Sequence, residues 1–341
     1  MKGKIGNIVK YIILLGVAAA LLFYAFKGMD IKKIMQEIVS ANMFWVAVSG
    51  LISIIAFVVR AHRWNLLIEP MGYSPSLKNT TYSVMVGYLA NYFVPRLGEV
   101  SRCGALSKAE SIPFNKLFGT VIIERIIDVI SLLACIILAA VLEHKRLGNF
   151  FTENIFDPAI LKFQQLGNSP LLLSAIIVLL VSLLIAGIYF IKKSNQKGND
   201  SKISKLIKGF IDGLRSIASL KRPGLFIFQS IFIWVLYYLG VYVALFAFPF
   251  TSGLGGGAAL FLLVAGGIGM SAPVQGGIGA YHLFVSQGLV LYGVLKGDGL
   301  AFATMLHGLQ FILVIVIGVA CMFLLFSARK KTGINSVPAK N

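Results

Sequence analysis

Uncharged apolar runs of membrane-crossing length recur along the whole chain, and nothing else in the sequence constrains the fold as strongly. A helix needs about 20 apolar residues, at ~1.5 Å each, to cross ~30 Å of hydrocarbon. Six segments meet or approach that length: Tyr11–Phe26, Met43–Val59, Phe118–Leu142, Pro170–Ile191, Gly224–Phe248 and Leu300–Phe326. Of the 341 residues, 57% are Ala, Val, Ile, Leu, Met, Phe, Trp, Tyr or Cys, and 35 glycines come on top. A soluble domain reaches about 45–50% apolar with glycine included. Such a chain carries more apolar surface than a soluble core buries, which predicts an all-α polytopic membrane protein. A secreted domain behind a signal peptide is excluded, because apolar runs continue to residue 326. The first run is short and follows Lys2, Lys4 and Lys10. Lys27 and Asp30 then stand where a small-residue cleavage site would be, so it reads as an uncleaved span.

Two further apolar regions do not read as simple spans. Thr80–Phe93 is uncharged but reaches only about 21 Å before Pro95-Arg96-Leu97-Gly98-Glu99. A re-entrant hairpin fits it, with Gly98–Leu106 as the returning arm. The second region, Leu254–Leu295, breaks at Ser271-Ala272-Pro273-Val274-Gln275-Gly276-Gly277. Its arms of 19 and 20 residues are each of a length that can span, although Gly266, Gly267 and Gly269 weaken the first as a straight helix, so the expectation is six to eight transmembrane helices with two proline-broken hairpins.

Charge gives an orientation. The net charge of +18 comes from 31 Lys and Arg against 13 Asp and Glu. The basic residues cluster between apolar runs, where they set topology and meet anionic headgroups, and no nucleic-acid-binding signature accompanies them. With segments 1–10, 60–81, 96–117, 192–223 and 327–341 cytoplasmic, 23 Lys and Arg lie inside, against 7 in 27–42, 143–169 and 249–299. Both termini are therefore expected in the cytoplasm, with the protein integral to the cytoplasmic (inner) membrane.

The two halves read alike. Each runs span, amphipathic helix, span, proline-broken hairpin, span. Ile31, Ile34, Met35 and Ile38 form the apolar stripe of the first amphipathic helix; Ile203, Leu206, Ile207, Phe210, Leu214 and Ile217 form that of the second. One half begins inside and the other outside, so an inverted-topology repeat is expected, as in many secondary transporters. The domain layout is a single membrane domain, 1–328, with halves at about 1–142 and 170–328, and a short basic cytoplasmic tail, 329–341.

Several polar residues stand out against this background. Pro95 ends the incoming helix and removes a donor, and Gly98 permits a close turn. Arg96 and Arg102 make a candidate clamp for a headgroup phosphate, with Asn91 beside the turn and Glu99 as counter-charge. Glu124, Arg125 and Asp128 lie inside an apolar run. Glu124 and Asp128 share a helical face, and charges at that depth mark substrate or ion pathways by default. The structural alternative is a salt-bridge lock from these carboxylates to Arg96 or Arg102. Pro273, Gly276 and Gly277 break the second hairpin.

Taken together, Arg60-Ala61-His62-Arg63-Trp64, Asn91…Pro95-Arg96-Leu97-Gly98-Glu99…Arg102, Glu124-Arg125…Asp128 and Ser271-Ala272-Pro273…Gly276-Gly277-Ile278-Gly279 resemble the flippase-like family named for the transmembrane region of lysylphosphatidylglycerol synthase. The resemblance covers essentially the whole chain. It implies translocation of a lipid between leaflets, without naming the lipid. Anionic phospholipid or a lipid-linked precursor is the implied partner, with a lipid-modifying enzyme as a possible neighbour. After the last apolar run only Ser327–Asn341 follows, too short for the aminoacyl-transferase domain of the lysyl-lipid enzymes. The chain departs from some relatives at His282, near which an acidic residue is common. His282 can supply a titratable group there, but His282 and His307 equally read as polar contacts inside the bundle.

Enzyme signatures are missing from the sequence. The three cysteines are scattered, no Cys/His cluster has zinc spacing, and the glycine-rich stretches lack the strand and lysine of a nucleotide loop. The expectation is a translocase, not an enzyme, without metal or cofactor. A membrane enzyme acting on a polyprenyl or phospholipid phosphate, and a small-anion permease, are the alternatives.

Overall fold

Three helices begin on a side chain that accepts the backbone N–H groups a first turn leaves free. Asp30 accepts from the amides of Lys32 and Lys33, Asn42 from that of Phe44, and Ser76 from that of Asn79. The computed structural model describes residues 15–144, 146 and 220–332. Its helices are α1 (Leu15–Phe26), α2 (Ile31–Ser40), α3 (Met43–Ile68), α4 (Leu77–Phe93), α5 (Leu97–Glu110), α6 (Phe114–Leu142), α7 (Pro223–Ala244), α8 (Gly256–Ser271), α9 (Ala280–Val290) and α10 (Lys296–Thr332). Single 3₁₀ turns extend α3 and α7, and the one-turn helix Pro249–Ser252 leads toward α8. Among the described residues there is no strand. All but the few at 143–146 belong to one compact unit, Met1–Leu142 with Ser219–Asn341; Glu143–Ala218 forms a second unit. The expected span Pro170–Ile191, the amphipathic segment 203–217 and the tail beyond 332 lie outside the described residues.

The protein is an all-α polytopic membrane protein. α3, α6, α7 and α10 are long and apolar enough to cross a bilayer, and α1 is a shorter apolar helix. On α6 the side chains of Ile122, Val129, Leu133 and Ile137 are each at least half exposed. A row like that suits contact with lipid.

Helices α4 and α5 fold back on each other as a hairpin. Glu110, at the end of α5, accepts from the Ser76 amide, the Ser76 hydroxyl and the Asn79 side chain, tying the hairpin's base. Midway, a Cβ on Gly87 would lie 2.9 Å from the Gly98 carbonyl, so only glycine lets the arms approach this closely. At the tip, Asn91 Oδ1 accepts the Gly98 N–H at 2.7 Å, and Arg96 adopts a left-handed conformation with φ 63°. α8 and α9 form the second hairpin. Their arms are 16 and 11 residues, shorter than the 19 and 20 expected from the sequence; Gly279, with φ 83°, caps the start of α9, and Gly293, with φ 80°, follows three residues after its end. Eleven residues reach about 17 Å, which does not cross the hydrocarbon.

The described helices pair in the way an inverted repeat would. α3 packs on α7 antiparallel: Ser49 Oγ donates to the Gly240 carbonyl, Arg63 reaches Ser230, and Glu69 pairs with Arg222. α4 runs antiparallel to α10, with Tyr92 against Phe311 and Leu89 beside Gly318. α6 runs antiparallel to α8, with Leu132 against Gly267 and Ala139 beside Leu260. Exchanging α3 with α7, α4–α5 with α8–α9, and α6 with α10 maps these pairings onto one another. The tips of the hairpins also meet. Gly276, left-handed at φ 54°, has the Tyr92 ring where a Cβ would go.

Two sequence expectations change. The second span does not end at Val59; α3 continues to Ile68, so Arg60 and Arg63 belong to a helix and not to a loop. In α2, Ile34 is buried against Ala25, Leu300 and Ala301, whereas Ile31 and Met35 are half exposed. The stripe is therefore split between protein and surroundings.

Candidate functional site

Arg60 and Arg63 sit three residues apart on α3, so both side chains leave the same face, and Glu124 and Asp128 do the same four apart on α6. The two faces meet. Arg60 Nη2 lies 2.7 Å from Glu124 Oε1 and 2.5 Å from Asp128 Oδ2. Arg63 Nη2 lies 2.7 Å from Asp128 Oδ1 and 3.4 Å from Glu124 Oε1. From α5, Arg102 Nη2 reaches Glu124 Oε2 at 3.0 Å while its guanidinium lies over the Trp64 ring at 4.7 Å. Trp64 in turn donates to Thr120 Oγ1 at 2.8 Å. α7 closes the cluster, with the Tyr237 hydroxyl 3.1 Å from Arg60 Nη1. The side chains of Arg63 and Glu124 are fully buried.

The network then runs outward. Arg125 pairs with Glu99 of α5 at 2.9 Å and lies 3.8 Å from Asp128. The Arg125 side chain is 43% exposed, so the cluster grades from a sealed interior to an accessible edge. Four guanidinium groups face three carboxylates, leaving one positive charge in excess. Glu99 Oε2 and the Nε atoms of Arg60, Arg63, Arg102 and Arg125 are buried without a hydrogen-bond partner. The arrangement holds α3, α5, α6 and α7 together and has the polarity to receive an anion.

The family whose description reads lysylphosphatidylglycerol synthase TM region matches residues 8–318. The chain belongs to that family. The UPF0104 membrane protein MJ1595 of Methanocaldococcus jannaschii is 33% identical over 111 residues, which is 32% of this chain and 32% of that protein. The chain thus aligns with about a third of the length of that relative. No solved structure matches it.

Against this geometry, the residues singled out in the sequence separate. Glu99, Arg102, Glu124, Arg125 and Asp128 come together in one network. Arg96 does not join them: it is exposed at the hairpin tip and makes no ion pair among the described residues. An Arg96–Arg102 clamp is thus not formed, because Glu124 and Trp64 hold Arg102 inside. Asn91 serves the hairpin itself through its bond to Gly98. Pro95 and Gly98 shape the first tip; Pro273, Gly276 and Gly277 shape the second. His282 lies in the other half, 5.0 Å from His307 between ring centroids. In the sequence, Arg60 and Arg63 stand out only as part of a motif. The signal that would have placed them is their three-residue spacing on the helical continuation of an apolar span, matching the spacing of Glu124 and Asp128.

Proposed function

We propose that this family member moves an anionic lipid, or a lipid-linked intermediate, between the two leaflets of the cytoplasmic membrane. The observation that carries the reading is the buried network where the first hairpin meets α6. Charges at such depth cost roughly 2.5–3.5 kcal/mol each on insertion scales, and by default they mark ion or substrate paths. One positive charge in excess suits a phosphate-bearing headgroup, which arginine binds through paired N–H donors. In this reading Arg96 meets the headgroup at the exposed tip. Arg102 then exchanges its Glu124 partner for phosphate, while Arg125 and Glu99 form the entrance. Two hairpins whose tips touch provide irregular backbone where a polar group can pass.

The orientation belongs to the same proposal. Taking Arg60, Arg63 and Arg102 out of the cytoplasmic count of 23 leaves 20 against 7 outside, still a strong bias toward cytoplasmic termini. The carrier breaks no bond, so it acts as a translocase and not as an enzyme, with a lipid-modifying enzyme as the natural neighbour.

Reconstitution tests this directly. Vesicles containing fluorescent phosphatidylglycerol, or a polyprenyl phosphate, are quenched from outside with dithionite. Faster loss of inner-leaflet fluorescence than in protein-free vesicles is the expected result. Exchange no faster than in empty vesicles for both lipids would overturn the proposal, and release of inorganic phosphate would favour an enzyme.

A further inference from the structure

The second hairpin holds a polar pair that the first-half network leaves unused. His282 and His307 are 8% and 3% exposed, and their ring centroids lie 5.0 Å apart. Inversion of the halves places them opposite an ion pair. Glu99 is the third residue of α5 and His282 the third of α9; Arg125 and His307 are each the twelfth of α6 and α10. One half thus carries a permanent acid–base pair at these positions, and the other carries two imidazoles.

Their surroundings leave acceptor atoms for one proton, while burial without a counter-charge opposes its binding. His307 Nε2 lies 3.0 Å from the Gly276 carbonyl, which only accepts, so Nε2 carries hydrogen and Nδ1 is left to accept one. His282 Nδ1 is buried without a hydrogen-bond partner. So are Gln275 Oε1, next to Gly276 in sequence, and Thr304 Oγ1, one turn before His307. Facing the pair are Tyr281, 4.9 Å from His307, and Phe26 of α1, 6.0 Å from His282. Tyr92 of α4 packs on Gly276. Neither α1 nor α8 contains a charged residue, and the charged residues at the start of α10, Lys296 and Asp298, lie more than two turns before His307. No carboxylate, lysine or arginine among the described residues pairs with either ring. At this separation one proton can be shared, and a second is opposed by like charge.

The position of the pair links its charge to the hairpin. A proton on His307 turns its bond to Gly276 into a charge-assisted one, which is shorter and stronger. Gly276 is the residue whose backbone touches Tyr92 at the tip of the first hairpin. We propose that His282 and His307 form a proton-binding site whose occupancy sets how firmly the second hairpin's tip is held against the first, so that the proton is the coupling ion. The coupling role rests on the transport reading; the proton site and its grip on the tip do not.

The test separates the two. In the full chain with Cys103, Cys135 and Cys321 replaced by alanine, Gln275→Cys is labelled with a maleimide between pH 4 and 8. Each rate is divided by that of the same protein carrying His307→Gln, which keeps a donor for the Gly276 carbonyl and cancels the thiol's own titration. The ratio should change about threefold or more across this range; a flat ratio overturns the proposal. Ring resonances of the unmodified protein, which has four histidines, provide a check that needs no cysteine replacement. His282 and His307 should titrate as a pair, with His282→Gln shifting the titration of His307, and independent titration overturns the shared site. In vesicles, an imposed pH gradient should alter lipid exchange in the native protein and not in His307→Gln; an equal response in both overturns coupling. A responsive tip without any lipid exchange would support the proton site and defeat the transport reading.

Discussion

Replacing Glu124 by glutamine removes the charge on which three arginines converge. Arg60, Arg102 and Arg63 approach its oxygens at 2.7, 3.0 and 3.4 Å, and its side chain is fully buried. In Glu124→Gln the shape survives, but three guanidinium groups are left with Asp128 as their main counter-charge. Breaking a buried pair from one side costs about 3–5 kcal/mol, because the surviving charge stays desolvated and unpaired. For a chain of this size that corresponds to a fall of about 6–10 °C in Tm, at roughly 2 °C per kcal/mol. Thermal aggregation in detergent, followed by fluorescence-detected size exclusion, measures it. The double variant Glu124→Gln/Arg102→Met should recover part of the loss, since it removes one of the stranded charges and keeps an unbranched side chain beside Trp64. A Tm for Glu124→Gln within a degree or two of the native protein would refute this account of the cluster.

Gly276→Ala should destabilise more than Gly28→Ala: both are left-handed, but only Gly276 meets another side chain, the Tyr92 ring, and the same melting assay compares them. Arg96→Lys should leave Tm unchanged and slow lipid exchange, because Arg96 makes no ion pair yet loses its planar fork; Arg102→Lys should lower both, since Arg102 spans Glu124 and Trp64. A single cysteine at position 200 should react with an impermeant thiol reagent only when the cytoplasmic face is open, and labelling from the outside would reverse the proposed orientation.

Some of the candidate site was legible early because one dimension suffices to see it. Glu124 and Asp128 stand out as charges inside an apolar run, and a spacing of four puts them on one face whatever the tertiary fold. Pro95 and Pro273 likewise announce helix ends, since a missing N–H acts locally. Arg60 and Arg63 were harder. At the end of an apolar run, arginine has the same look whether it enters water or continues a helix into the protein, and the carboxylates that decide between these lie more than sixty residues away.

The apolar character of the long helices and the breaks near Pro95 and Pro273 were therefore set by the sequence alone, because they depend on local backbone chemistry and on the ~30 Å thickness of hydrocarbon. Tertiary structure decided the partners. It turned Arg102 inward to Glu124 and left Arg96 outside, although both flank the same turn. It shortened the second hairpin to arms that cannot cross, and it set two histidines where the other half sets an ion pair. Those outcomes depend on which helices meet at ångström distances, and a buried charge is stabilised by the group that reaches it in space, however far apart the two lie in the chain.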